Sequence, residues 1–388
     1  MRILIVHNQL WAHYKSLVFS EIHKVCQQYN NTELLVLQIA LCEGDRQALG
    51  NETAQHYYYP YHLLFNTSLE RVTFWPKLKK LLAEIRAFKP NVVNLTGYYD
   101  PAQLVVLLYC KLAGIKTILS NESSQQDRTR RGLKEQLKKK IVRSFDGYFC
   151  FGKTSVDYLI QLGAEHSDIL TTKGAVVDNT ALLDIYQKAS PNRPQLLATL
   201  QLRPRNFIFV GRLVEIKNLK TLLQSYQNLI DPTHQWGLIF LGEGVQKTEL
   251  QAMAKAQQTE GVVFLDGQPW HNVPEYLALA DVLVLPSWSE PWGLVVNEAM
   301  VCGLPVIASD VCGCVPDLVI ENETGYLFDP KNGEELTQKM QKFVSDEAHY
   351  NTLSQQAARR VAEFSPAKAA RQMFAGFERV VAQMPILK

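Results

Sequence analysis

Asp281-Val-Leu-Val-Leu-Pro-Ser-Trp-Ser-Glu-Pro-Trp-Gly-Leu-Val-Val-Asn-Glu298 holds the fold in outline. Its apolar front reads as a buried strand stopped by Pro286, and from Leu294 a helix-like pattern runs on to Gly303 and Pro305. Between them lies a tight Pro-Trp-Gly turn, bracketed by the carboxylates Glu290 and Glu298. Strand, turn and helix put Glu290 at the carboxyl end of a strand and Glu298 one or two turns into the next helix. In open α/β sheets that edge is where ligands bind. On one continuous helix, eight residues would separate the two Cα atoms by ~12 Å. A retaining glycoside hydrolase needs its carboxyl groups only ~5 Å apart. The pair therefore suits different parts of one elongated ligand. By itself the spacing is common, and a solvated acidic loop and helix glutamate would also explain it.

A second cluster upstream changes that balance. Asn206-Phe-Ile-Phe-Val210 is a strand-like run, followed at once by Gly211-Arg-Leu-Val-Glu-Ile-Lys-Asn218 and an amphipathic stretch from Leu219. The expected helix start offers unpaired N–H groups and a positive dipole end to an anion. Arg212 and Lys217 flank it, a guanidinium fork and a point charge of the kind a diphosphate needs. Gly237-Leu-Ile-Phe-Leu-Gly242-Glu-Gly244 and Val262-Val-Phe-Leu-Asp-Gly267 add two strand–glycine turns, where glycine permits close backbone approach to a ligand. Gly303–Asp310 and Gly325–Phe328 complete a doubly wound half.

Across residues 206–330 this pattern resembles the retaining glycosyltransferases of GT-B fold, the large E-x7-E family known as glycosyl transferases group 1. The resemblance implies two Rossmann-like, parallel-sheet domains facing across a cleft. It implies that Arg212 and Lys217 neutralise the donor diphosphate and that Glu298 accepts bonds from ribose hydroxyls. It also implies that Glu290 holds the donor sugar together with the backbone N–H groups of Trp292, Gly293 and Leu294. Gly211, Gly242, Gly244 and Gly267 belong to the same donor-binding set. Trp292 replaces the family's commoner phenylalanine and is expected to reshape the wall of the sugar pocket. Asp310-Val-Cys-Gly-Cys-Val-Pro-Asp317 has one glycine where many relatives have two. The chain contains no D-x-D, so no metal or other cofactor is expected, and protein cations stand in for the metal clamp of other glycosyltransferases.

At 388 residues the chain predicts two domains or more. An apolar content of 47% and a charged content of 20% are those of a globular protein, and the net charge of +2 selects no partner. No apolar run approaches the ~20 residues of a membrane span. The amino-terminal Met1–His7 reads as a first strand rather than a signal peptide. Seven cysteines without C-x-x-C suggest reduced thiols in a cytoplasmic protein; Cys312 and Cys314 have no partner pattern for a metal. Strand-like runs at Leu34–Ile39, Asn91–Thr96, Ile115–Ser120 and Gly147–Phe151 alternate with helices such as Trp75–Phe88 and Pro101–Ala113, giving a second parallel sheet. Domains are expected at 1–190 and 191–365, divided in the proline-rich Ser190–Asn206 segment. A final helix, 366–388, is expected by resemblance to cross back to the first domain.

The first domain should bind a saccharide, lipid-linked or small-molecule acceptor. His7 and Glu122 lie at predicted strand ends, and Tyr98, Tyr99 and Asp100 follow another. A strand-end histidine is more often structural than catalytic, and turn packing explains the aromatics equally well. Arg128–Arg143 contains eight basic residues and one acidic, with leucines at helical spacing. One reading is attachment to the inner face of a membrane; the other, a packed helix with a solvated outer face, is favoured by its narrow apolar stripe. Nothing accompanies the run that suits nucleic acid. A non-catalytic sugar-nucleotide sensor, an epimerase and a phosphorylase share the expected shape. The intact Arg212, Lys217, Glu290 and Glu298 disfavour the sensor, and neither enzyme signature is present.

Overall fold

Two all-parallel sheets carry the chain, and a computed structural model describes them over residues 1–44, 57–122 and 133–382. The first sheet contains β1 (Arg2–Gln9), β2 (Glu33–Ala40), β3 (Tyr61–Leu63), β4 (Val92–Thr96), β5 (Lys116–Asn121), β6 (Gly147–Cys150) and β7 (Ile169–Thr171). Its order is β3-β2-β1-β4-β5-β6-β7. The second contains β8 (Arg205–Val210), β9 (Trp236–Leu241), β10 (Val262–Leu265), β11 (Val282–Leu285), β12 (Val306–Ser309) and β13 (Gly325–Phe328), in the order β10-β9-β8-β11-β12-β13. The central strands are apolar on both faces, as a sheet covered by helices on both sides requires: Ile3, Leu4, Ile5 and Val6 are all fully buried, as are Val282, Leu283 and Val284. Each sheet runs outward in both directions from its first strand. The winding therefore reverses between β1 and β4, and between β8 and β11. The carboxyl edge at such a reversal is where open α/β sheets bind ligands.

The sequence patterning anticipates the central strands but not β3 and β7. Both are three-residue edge strands, too short to show a period.

Contacts divide the chain into Met1–Val176 with the helix Pro366–Ala382, and Val177–Ser365. The first division falls before the proline-rich segment, not within it. Helix Asn179–Ala189 packs on Val273–Leu277 and Leu294–Val301 of the second unit. The Arg193 guanidinium is 2.7 Å from the Asp281 carboxylate and donates to the Pro204 carbonyl oxygen at 2.9 Å. Pro191 and Pro194 sit in the first turns of short helical segments, where a missing N–H costs nothing. Those prolines start helices; they do not mark a linker. In the first unit, Pro366–Ala382 packs along helix His13–Cys26 and against β7. Phe377 meets Phe149 edge-on at 5.1 Å, and the Thr171 hydroxyl donates to Gln372 Oε1 at 2.8 Å. The basic stretch 128–143 is described only from its helix Leu133–Val142 onward; 128–132 lie outside the described residues.

Candidate active site

In the second unit the loops after β8 and β11 are sewn together by backbone. The Trp288 N–H donates to the Ile216 carbonyl oxygen at 2.9 Å. That link brings the Lys217 ammonium onto the Glu290 carboxylate, with both side chains mostly buried. Asn218 fixes the lysine from behind. It adopts a left-handed φ of 56°, donates from Nδ2 to the Pro330 carbonyl oxygen at 3.0 Å and accepts from the Thr221 hydroxyl at 2.7 Å. Arg212 is exposed, and its guanidinium has no ion-pair partner among the described residues. One cation of the pair is thus held by a carboxylate and the other is uncommitted.

Glycines set how tightly these loops meet. A Cβ at Gly242 would stand 1.9 Å from the Gly211 carbonyl oxygen, and one at Gly244 would stand 2.2 Å from that of Leu213. Both are demanded by loop-on-loop contact, where the sequence pattern suggests ligand approach instead. Gly267 N–H donates to Glu243 Oε1 at 3.3 Å. On the β11 side, the Gly313 N–H donates to the Glu290 carbonyl oxygen at 2.9 Å, and Cys314 N–H donates to that of Trp292 at 3.2 Å. A Cβ at Gly313 would come within 1.8 Å of the Pro291 carbonyl oxygen. Gly313 is therefore a site residue to which its sequence context assigns no role.

Gly293, with φ of 93°, starts helix Leu294–Val301 and lets the chain reverse into it. Glu298 lies on that helix. Its carboxylate has no hydrogen-bond or ion-pair partner among the described residues and keeps some contact with solvent. Burial nevertheless pushes its pKa up to about 7. Trp292 departs from expectation. Its ring is only 3% exposed, its indole N–H donates to Asn297 Oδ1 at 2.8 Å, and Phe364 packs at 6.0 Å. The ring braces the turn from inside, so it does not form a pocket wall.

The first unit's edge is built differently. His7 Nδ1 lies 2.9 Å from the Gln9 carbonyl oxygen and 3.1 Å from Gln38 Oε1, while Gln38 Nε2 donates to the Tyr59 hydroxyl at 3.0 Å. Both His7 partners are acceptors, so Nδ1 carries the proton and Nε2 is left as an acceptor. Burial, and then the Lys15 charge, lower the His7 pKa to about 4. Glu122 pairs with Lys15 at 2.5 Å, and the Lys15 ammonium stands 4.5 Å above the Phe151 ring. His7, Lys15 and Glu122 line one cavity of ≈ 20 Å³, the room of about one water. Sequence gives no sign of Lys15, because a lone helix lysine carries no pattern.

Tyr98 and Asp100 do not join them. Tyr98 is buried, its hydroxyl accepts from that of Tyr99 at 3.2 Å, and burial pushes its phenol far up. Asp100 caps helix Pro101–Leu112, accepting from Ala102 N–H at 2.8 Å and Gln103 N–H at 3.3 Å. Its other oxygen holds the buried Lys77 ammonium. Both residues are spent on structure. Among the described residues, no group of three or more His, Cys, Asp or Glu side chains is arranged to hold a metal ion.

Residues 198–360 match the family model described as glycosyl transferases group 1. The D-inositol 3-phosphate glycosyltransferase of Rhodococcus opacus (strain B4) is 32% identical over 192 residues, covering 47% of this chain and 43% of the relative. The N-acetyl-alpha-D-glucosaminyl L-malate synthase of Bacillus anthracis is 24% identical over 231 residues, covering 54% of this chain and 58% of the relative. These matches span about half the length of the curated relatives. Among solved structures, Anabaena HepE in complex with UDP and glucose superposes with a TM-score of 0.72 at 18% identity, covering 98% of this chain and 100% of that one.

Proposed function

We propose that this chain, a group 1 glycosyl transferase over residues 198–360 with the two-domain GT-B fold, moves a hexose-type sugar from a nucleoside diphosphate to an acceptor hydroxyl, with retention and without a metal ion. The observation that carries the reading is the Lys217–Glu290 pair at the carboxyl edge of β8 and β11, with the exposed, uncommitted Arg212 on the same loop as Lys217. An ammonium has three N–H donors, and one contact to Glu290 leaves two for phosphate oxygens. Glu290 keeps a second oxygen for a sugar hydroxyl. As the anomeric C–O bond breaks, negative charge grows on the departing diphosphate. Lys217 and Arg212 stabilise it most when the charge is greatest, which lowers the barrier. The acceptor oxygen attacks the anomeric carbon from the face the diphosphate leaves, and its proton passes to a phosphate oxygen.

The backbone of Gly293 and Leu294, at the amino end of the Glu298 helix, suits the donor sugar or phosphate. Glu298 accepts ribose hydroxyls when ionised. His7 Nε2 and Glu122 are the acceptor-side candidates that remain. Relatives named for D-inositol 3-phosphate and for L-malate support a small polar acceptor. The test is release of nucleoside diphosphate from a panel of UDP-, GDP- and ADP-sugars in EDTA, with Lys217→Ala and Glu290→Ala as controls. Release from one donor, abolished in both variants, supports the reading. Release that depends on added metal, or that survives both substitutions, overturns it.

A further inference from the structure

Helix Pro101–Leu112 is apolar on the side that faces solvent. Val105, Leu108 and Leu112 are 37%, 60% and 82% exposed and fall in one stripe at helical spacing. The opposite side, with Val106, Leu107 and Cys110, is in the core. Apart from Lys111, which pairs with Asp146 at 2.7 Å, its solvent side is as apolar as its core side, a pattern that suits a protein interior or lipid. At 12 residues it is too short to span a bilayer, and no described helix is long and apolar enough to cross one.

Its neighbours extend the same surface. Helices Phe74–Phe88, Pro101–Leu112 and Leu133–Val142 send their inner residues into one core cluster and so form one layer. On its outside, Leu137 is 59% exposed on a helix that also exposes Lys139 and Lys140, and Trp75 is 75% exposed on the helix that also presents Lys79 and Arg86. The two acids of these helices have partners within the layer's own surface: Glu84 accepts from His62 Nδ1 at 2.9 Å, and Glu135 pairs with Lys138 at 3.1 Å. The outer face thus offers exposed apolar side chains among cations.

We propose that this layer docks the protein on an anionic lipid surface, with Leu108 and Leu112 entering the interface and Lys139 and Lys140 meeting lipid phosphates. Charge decides the occupant. A second copy of the chain would set the same cations against each other across a two-fold contact, whereas an anionic bilayer complements both cations and apolar stripe. The proposal is independent of the donor reading, because none of these residues lies at the carboxyl edge of β8 and β11.

Co-sedimentation of the full chain with vesicles tests it, comparing phosphatidylglycerol–phosphatidylcholine with phosphatidylcholine alone. Binding to the anionic vesicles, weakened by salt, is the expected result. Leu108→Ser with Leu112→Ser, and separately Lys139→Glu with Lys140→Glu, should each cut the bound fraction on the order of tenfold. Donor turnover in solution should stay unchanged, since every substituted side chain is exposed. Absence of binding overturns the proposal, as does binding indifferent to the leucine pair. A dimer in solution that Leu108→Ser and Leu112→Ser dissociate also overturns it, by giving the face to a second copy.

Discussion

The carboxyl edge of β8 and β11 and that of β1 and β4 arise from the same winding, yet they spend their polar residues in opposite ways. At β8/β11 the charged side chains are held ready: Lys217 by Glu290, Arg212 by nothing among the described residues, and Glu298 by no partner there either. At β1/β4 most of them are consumed. Asp100 caps a helix and neutralises Lys77, Tyr98 is core, and His7 is locked by Gln9 and Gln38. Phosphate chemistry requires fixed charge at a fixed place, whatever the acceptor. Under the proposed function, acceptor recognition at β1/β4 would impose no such constraint, and that edge could devote the same residue types to folding.

Activity should break along this line. Lys217→Ala is expected to lower kcat on the order of 10²- to 10³-fold, the loss typical when one preorganised donor to developing charge is removed. Asp100→Asn should leave kcat at the parental level. Steady-state kinetics on both variants checks the contrast, and a comparable kcat loss in Asp100→Asn would erase it.

Stability should break along it the other way. Asp100→Ala removes a cap and strands a buried ammonium, a cost of about 3 kcal/mol, read as a lower midpoint in urea. Gly313→Ala forces a Cβ against the Pro291 carbonyl oxygen and should cost roughly 2 kcal/mol. The two substitutions differ in what else they take away. Because Gly313 holds the Glu290 backbone, its substitution should depress donor turnover as well, whereas the Asp100 variant that remains folded should work normally. Urea titration alongside kinetics separates the two cases.

That asymmetry also governs how much of the molecule is legible in one dimension. The E-x7-E turn and the Gly-Arg…Lys-Asn loop are contiguous strings with a fixed spacing, so Glu290, Lys217 and the strand runs around them suffice to read the two-sheet GT-B architecture. The ion pair between Lys217 and Glu290 is not legible, because it depends on a backbone link between Trp288 and Ile216. Gly313 is silent for the same reason, since its constraint is the Pro291 carbonyl, more than twenty residues earlier. Trp292 and Tyr98 mislead because burial is a property of packing: an aromatic beside a turn reads alike whether it faces a ligand or the core. The domain division misleads locally, where prolines that start helices resemble prolines that mark linkers.

The finest distinction lies in how the two edges respond to pH. Burial raises Glu298 to about 7, so the folded second unit binds a proton that its unfolded chain releases near 4.5. That contribution to stability is fully present below 4.5 and is lost as pH rises through about 7. His7 is depressed to about 4 from 6.5, so the unfolded first unit takes up the proton first. Its contribution is present above 6.5 and is lost as pH falls through about 4. Between pH 4.5 and 6.5 the two terms have opposite slopes, rising with pH in the first unit and falling in the second. Hydrogen exchange followed separately on β1 and on helix Leu294–Val301 should show those slopes, with Glu298→Gln flattening the second and leaving the first intact. If Glu298 accepts ribose hydroxyls as proposed, its ionised form is the one that does so, and donor affinity should climb through the same titration while the empty second unit loosens. Parallel slopes in the two units would mean that Glu298 is not the uncompensated carboxylate its lack of partners indicates, and the contrast between a poised edge and a consumed one would then rest on Lys217 and Arg212.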